Sequence, residues 1–365
     1  MPRVTINVLH VDTERGWRGG ERQTLWLGRE LARRGFGTVV AARSGEPLAQ
    51  RAAGDGLDVV ACNPRSEIDV FAAAALRRTI RRRKIELVHA HTAHAVAIAA
   101  IATMGSGVPF VVARRVDFKL RDNFGTRLKY RGAAKFIAVS HAVARVLESS
   151  GIAPDRIAVV PDGVDIARRV TPATHYIMSE FGIPREAKIA IQVAQLVGHK
   201  DPLNFVRAIA HARASVPDLH GLLVGDGPLR GDVERAIVEM GLENAVHLAG
   251  YRTDADALLA AADVAVLSSR EEGMGSVLLD ALVFGRPIAA TRAGGIPEIV
   301  SDDCGILAPV ENPTALGDAI ARIANDPALG ARLGAQARTR AASFSVERMT
   351  DRTIEVYDTV LAAAR

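Results

Sequence analysis

The chain has 365 residues, more than one ordinary hydrophobic core accommodates, so two domains are expected. Its 48% hydrophobic and 24% charged residues are the balance of a soluble globular protein. The net charge of +5 is uneven: residues 1–165 hold 26 Lys and Arg against 16 Asp and Glu, residues 166–365 hold 20 against 25, and the basic character belongs to the first half. Two cysteines, Cys62 and Cys304, match no metal or redox spacing, which leaves free thiols in a reducing cytosol as the simplest expectation.

The opening MPRVTINVLHV meets His10 and Asp12 too soon for a secretory signal and reads as a first strand, Thr5 to His10. Apolar strands then alternate with amphipathic helices: Thr38–Ala42, Leu57–Ala61, Leu87–Ala90, Phe110–Ala113 and Phe136–Val139. That alternation predicts a parallel sheet covered on both faces. The turn after the first strand contains Gly19-Gly20, followed by a helix through Ala32. A glycine pair there is a weak phosphate signal by itself, because any tight turn takes glycine. His89-Ala90-His91 ends a strand and would open toward a cleft; metal binding is set aside, because no third ligand is evident nearby in sequence. Residues 93–113 contain no charged side chain, but Gly105-Ser106-Gly107-Val108-Pro109 would break a spanning helix, so a buried helix followed by a strand is expected. Ser140 is the natural N-cap of the helix that follows it.

A second series restarts at Ile189–Leu196 and continues through Gly221–Val224, Val246–Leu248, Val264–Leu267 and Pro287–Ala290. Asp254-Ala255-Asp256 precedes an Ala-Leu run and reads as an N-cap and first-turn charge rather than a metal-binding Asp-x-Asp. The densest stretch is Ser268–Val300. The buried strand Val264–Leu267 gives way to a charged, Gly-punctuated loop and then to a helix from Ser276 to Phe284. Gly273 and Gly275 let backbone approach a ligand, and the first amides of the helix, at Ser276 and Val277, lack intrahelical acceptors. Such a place suits a phosphate. Glu272 before the helix and Asp280 in its second turn offer acceptor-only carboxylates, suited to sugar or ribose hydroxyls.

Taken together, Glu272, Gly273-Met274-Gly275, Asp280 and Gly294-Gly295-Ile296-Pro297-Glu298 resemble the donor-site signature of the retaining glycosyltransferases of family four. Met274 replaces an aromatic residue of that signature and Asp280 a glutamate. The resemblance implies an α/β GT-B fold: two Rossmann-like domains with parallel sheets facing across a cleft. It divides the chain into an N-terminal domain, 1–165, which closes with the turn Pro161-Asp162-Gly163-Val164-Asp165 and has a crossover helix 345–365, a linker 166–186, and a donor domain, 187–344.

The family pattern also assigns roles. Lys200 would hold the donor diphosphate, while Gln195 stands where relatives have an arginine. Gly225-Asp226-Gly227 also has its counterpart there. Gly19 and Gly20 would form a turn closing over the phosphates; Tyr251 would line the base; Gly275, Ser276 and Val277 would hold phosphate; Asp280 would hold the ribose. Glu272 would orient the sugar, His91 would line the cleft, and Arg115 replaces a histidine beside the sugar and would act as a charge or hydrogen-bond donor.

The implied activity is metal-independent, retaining transfer from a UDP- or GDP-linked sugar to an acceptor hydroxyl, in cell-envelope or lipopolysaccharide-type glycan synthesis. No cofactor and no nucleic acid partner are expected. The rivals are a GT-B nucleotide-sugar epimerase and a non-catalytic nucleotide-sugar-binding protein. A cytoplasmic protein is expected, peripheral on a membrane carrying a lipid-linked acceptor. For that the motive is the basic run 77–84 and the cluster Lys119, Arg121, Arg127, Lys129, Arg131 and Lys135, which alternates with Phe118, Leu120, Phe124, Leu128 and Tyr130.

Overall fold

In the computed structural model, which describes residues 6–120 and 124–364, the chain forms two compact units. One comprises residues up to Gly163 and again from Val346, the other Val164–Ser345. Thr5 of the expected first strand and Arg121 of the basic cluster lie outside the described residues.

The first unit carries seven strands: β1 Asn7–Asp12, β2 Gly37–Ala42, β3 Asp58–Ala61, β4 Leu87–Ala90, β5 Phe110–Arg114, β6 Ala133–Ala138 and β7 Ile157–Val159. Their order is β3-β2-β1-β4-β5-β6-β7 and every neighbouring pair is parallel. Val8, Leu9 and Val11 of β1 and Leu87 and Val88 of β4 are wholly buried, as strands covered on both faces require. One of those covers is the final helix, Val346–Ala364, whose Met349, Ile354, Tyr357 and Val360 join the core with Leu27, Leu31 and Val111.

The second unit carries β8 Lys188–Val193, β9 Leu219–Val224, β10 Val246–Gly250, β11 Val264–Leu267, β12 Ile288–Thr291 and β13 Gly305–Ala308, in the order β10-β9-β8-β11-β12-β13, again all parallel. Its core is aliphatic, with Phe205, Ile209, Val264 and Ile320 at its centre.

β7 and β13 were not foreseen: three and four residues at sheet edges carry too little periodicity to stand out. Residues 93–113 divide into the helix Ala93–Thr103 and β5, and among the described residues no helix is long and apolar enough to cross a membrane. Ser140 does cap its helix, accepting from the Val143 amide at 3.2 Å. Both cysteines are buried and free.

Each strand order reverses once, between β1 and β4 in one sheet and between β8 and β11 in the other. In an open parallel sheet the loops at such a reversal diverge, which leaves a crevice beyond the carboxyl ends of the strands.

Candidate functional site

The crevice at the β8–β11 reversal gathers five of the expected residues, Lys200, Glu272, Gly275, Ser276 and Val277. After β8 the chain turns through Gly198–Lys200 and enters the helix Pro202–Ala212 at Asp201, held in the left-handed region at φ 45°. After β11, Ser268 donates its amide to Gln192 Oε1 at 3.0 Å, and its hydroxyl lies 2.8 Å from the Asp201 carbonyl, so the two strand ends are pinned together. This brings Lys200 Nζ onto Glu272 Oε2 in a tight ion pair. Ser269 Oγ donates to the same oxygen at 3.2 Å. The Glu272 carbonyl accepts from the Gly295 amide at 3.0 Å, which ties in the Gly294-Gly295 loop after β12.

Gly275 caps the helix Ser276–Phe284 at φ 86°, a conformation that a side chain would strain, and a Cβ there would stand 3.2 Å from Leu267. The amides of Ser276 and Val277 follow in the first turn of that nine-residue helix. A cation, a carboxylate and a helix start with unpaired amides therefore share one crevice. That set can receive a diphosphate and orient hydroxyls.

Other expected residues stand differently. Gln195 is exposed on the loop after β8, and Tyr251 is 69% exposed after β10. The glycines of Gly225-Asp226-Gly227 make room for backbone: a Cβ would fall 2.0 Å from the Ala194 carbonyl oxygen at Gly225 and 2.5 Å from that of Leu196 at Gly227. Asp280 is buried, and its carboxylate receives Arg168 Nη2 at 2.5 Å. The same guanidinium reaches Asp256 at 3.0 Å and lies over the Phe284 ring at 4.9 Å.

Asp254 and Asp256 stand, as expected, at the N-cap and in the first turn of the helix Ala255–Ala261, and both carboxylates also meet arginines. Asp254 occupies the N-cap position without a capping bond and instead takes both forks of Arg252, at 2.8 Å each, because its φ −99°, ψ 19° do not present the carboxylate to the helix amides. Arg168 escaped the sequence reading because its two partners are 88 and 112 residues away.

Replacing Arg168 by alanine would leave the Asp280 carboxylate buried without that cation. We expect a loss of about 3 kcal/mol in urea unfolding, largely restored when Asp280→Asn is added. A change below about 1 kcal/mol would show the pair to be dispensable.

The first unit's reversal holds a different set. β1 and β4 pair in register with His10 beside His89, and His91 follows two residues on, so three imidazoles share one face at the strand ends. All three are buried. Arg115 donates from Nε to Asp162 at 3.1 Å, and its Nη1 lies 3.4 Å from His91 Nδ1; His91 Nε2 lies 3.0 Å from His10 Nδ1. His89 Nδ1 meets the Tyr357 hydroxyl at 2.6 Å, and His10 Nε2 and His89 Nε2 have no partner among the described residues. Burial first, and the Arg115 charge with it, drives the His10 pKa down to about 3 and those of His89 and His91 well below the usual 6.5, while burial lifts Tyr357 well above 10.

The third imidazole missing from the sequence reading is thus His10, and one nitrogen from each ring lies within 4.8 Å of the others. The order of the sheet, not spacing along the chain, supplies it. As they stand, His10 and His91 are hydrogen-bonded to each other and His89 to the Tyr357 hydroxyl, while the second nitrogen of His91 faces a guanidinium, which opposes a dication. Asp162, read as a turn residue, is the anchor of Arg115. The small cavity beside them is lined by His89, Arg115, Asp162 and Met349. Gly19 and Gly20, expected in a turn, are the first two residues of the helix Gly19–Arg33; the turn glycine with positive φ is Gly16, at 81°. Nothing stands within 4 Å of a Cβ built on Gly20, so this helix start is open to close approach.

Comparisons with known proteins agree on the kind of molecule. Residues 17–168 match the model of Glycosyltransferase Family 4, and residues 176–340 match Glycosyl transferases group 1. A D-inositol 3-phosphate glycosyltransferase of Saccharomonospora viridis is 31% identical over 58% of this chain and 52% of its own length. The UDP-Gal:alpha-D-GlcNAc-diphosphoundecaprenol alpha-1,3-galactosyltransferase of Escherichia coli is 26% identical over 72% of each chain. The chain thus spans about half the length of the first of these relatives and more of the second. Anabaena Alr3699/HepE, solved in complex with UDP and glucose, superposes with a TM-score of 0.85 at 21% identity, over 97% of this chain and 100% of that one. The fold is that of the GT-B class.

Proposed function

Because the chain belongs to the GT-B glycosyltransferases of family four, matched in both of its units, we propose that it transfers a sugar from a nucleotide-sugar to an acceptor hydroxyl with retention of configuration. The observation that carries this is the Lys200–Glu272 pair beside the first-turn amides of Ser276 and Val277, at the β8–β11 reversal. Lys200 and the two amides hold the diphosphate and take up its growing charge as it leaves, with no metal ion required. Glu272 accepts hydrogen bonds from the sugar hydroxyls. The leaving phosphate then receives the acceptor proton on the face that is attacked. Lys200 already faces a carboxylate, so an arriving diphosphate has to share the ammonium with Glu272, and donor affinity is set by that competition.

Arg115, held between Asp162 and His91, serves as a fixed cation or hydrogen-bond donor. Asp280 serves the ribose only by sharing its carboxylate with Arg168. Tyr251, whose ring is exposed, serves to stack on the nucleobase. A UDP-linked donor is favoured by the UDP complex of the Anabaena structure. A lipid-linked acceptor at the cytoplasmic face, in cell-envelope glycan synthesis, is favoured by the diphosphoundecaprenol acceptor named for the Escherichia coli relative and by the basic first half.

Calorimetric titration with UDP-, GDP- and ADP-sugars tests the reading. One class should bind, and nucleoside diphosphate should appear once an acceptor is supplied; failure of every class would remove it. In the same assay Gln195→Arg should tighten the cognate donor by roughly 10- to 100-fold, since a charge-assisted contact contributes about 1.5–3 kcal/mol. No gain would mean that another group already occupies that space.

A further inference from the structure

Arg270 stands on the loop that carries Glu272, two residues before it. Its guanidinium reaches two other loops at the carboxyl ends of the same sheet: Nε donates to Asp201 Oδ2 at 2.7 Å, after β8, and Nη1 lies 3.2 Å from Glu311 Oε1, after β13. Both partners are strained. Asp201 and Glu311, at φ 45° and 55°, are two of the three non-glycine residues with positive φ among the described residues. A left-handed backbone costs free energy in any residue with a side chain, so it persists where its surroundings hold it.

Asp201 is the partner that bears on the site. It directly follows Lys200, so its backbone angles decide where the lysine stem leaves the turn Gly198–Lys200. Its side chain is 4% exposed and both oxygens are engaged: Oδ1 accepts from the Asn204 amide at 3.2 Å and caps the helix Pro202–Ala212, while Oδ2 takes the guanidinium. The Arg270 amide also donates to the His199 carbonyl at 2.8 Å, so the backbone and side chain of one residue grip both flanks of Lys200. An ion pair between two exposed side chains would contribute little. Here Arg270 is 46% exposed, but the carboxylate it holds is buried and belongs to a strained residue.

We infer that Arg270 is a positioning residue of the donor site: by holding Asp201 in its left-handed conformation, it fixes Lys200 where the leaving diphosphate gathers charge. This deepens the proposed function, from which it takes the role of Lys200. A lysine on a loosened turn still reaches a bound diphosphate, because its stem is long and its head a point charge. What it loses is preorganisation, which acts as charge develops in the transition state and little before it. Loss of Arg270 therefore falls on kcat and spares the donor KM.

The test compares R270A, R270K, D201N and R270A/D201N with the parent, by initial rates on the nucleotide-sugar that binds and by urea unfolding. R270A should lower kcat by about tenfold and leave donor KM and calorimetric stoichiometry within about twofold, whereas partial misfolding would lower the stoichiometry. Asparagine keeps the helix cap and tolerates the left-handed backbone, so D201N should show the same loss through its missing charge. The double variant should be no worse than either single one, and R270K should recover part of the rate. One arm needs no turnover: the factor by which E272Q raises the unfolding constant should be about threefold smaller in R270A than in the parent, because the Lys200–Glu272 pair is then already loosened. Parental kcat in R270A overturns the inference, as do losses in R270A and D201N that multiply in the double variant, or an undiminished effect of E272Q in R270A. A parent that consumes no nucleotide-sugar removes the proposed function, and the urea arm still decides whether Arg270 holds the pair.

Discussion

Replacing Glu272 by glutamine is expected to cut turnover by about 10²- to 10³-fold, the loss that follows removal of one preorganised electrostatic partner from a reacting centre. The effect should fall on kcat. Glutamine keeps the length and one acceptor oxygen, but it releases Lys200 from its ion pair, so the ammonium meets the donor diphosphate without competition. KM for the donor should stay level or drop. Stability should change as well: the Glu272 side chain is 11% exposed and Lys200 20%, so the pair is not a loose surface contact. A loss of about 1–3 kcal/mol is expected from leaving the ammonium half-buried without its partner. Initial rates and a urea titration measure both. Parental turnover in the variant would show that Glu272 does not touch the sugar.

The second large effect is on stability against pH. His10, His89 and His91 are neutral in the folded chain because burial, reinforced by Arg115, lowers their pKa values, that of His10 to about 3. In the unfolded chain each takes up a proton near pH 6.5. The folded state thus binds fewer protons below 6.5; the stability is whole above that value and is lost as pH falls through it, continuing toward the folded pKa. The slope is about 1.4 kcal/mol per pH unit for each histidine, so three together cost about 3–4 kcal/mol between pH 7 and 5.5. His220 and His247, lowered by burial in the second unit, the latter to about 4, add to it in the same direction.

Asp12 and Glu21 work the other way, since burial raises their pKa values and protonation relieves them. That relief grows only as pH approaches the carboxylate range. Urea unfolding at several pH values, with His89→Gln for comparison, checks the assignment: the variant should lose about one proton from the slope. A flat profile would mean that the imidazoles are not held neutral.

How much of this the sequence disclosed depended on whether the signal was local. β4 and β11 and the helix Ser276–Phe284 stand where the apolar runs and glycines place them, because a buried parallel strand and a glycine-capped helix are written in adjacent residues. Lys200 and Glu272 were legible as residues, but their pairing is a product of the strand order, which brings loops 72 residues apart to one crevice. His10 was invisible as a partner of His89 for the same reason: the chain makes two further strands before β4 returns beside β1. Arg168 carried no signal at all, being one arginine among many in an irregular stretch. Gly19 and Gly20 misled because glycine suits the first turn of a helix as well as the loop before it.

Retaining transfer at the β8–β11 crevice is tested most directly by proton NMR of the reaction with the nucleotide-sugar that binds, supplied with lipid extract and oligosaccharide acceptors. The anomeric proton of the first-formed product should carry the configuration of the donor, and the signal should be absent with Glu272→Gln. A product of opposite configuration would contradict retention, and a nucleotide-sugar that is never consumed would contradict transfer itself.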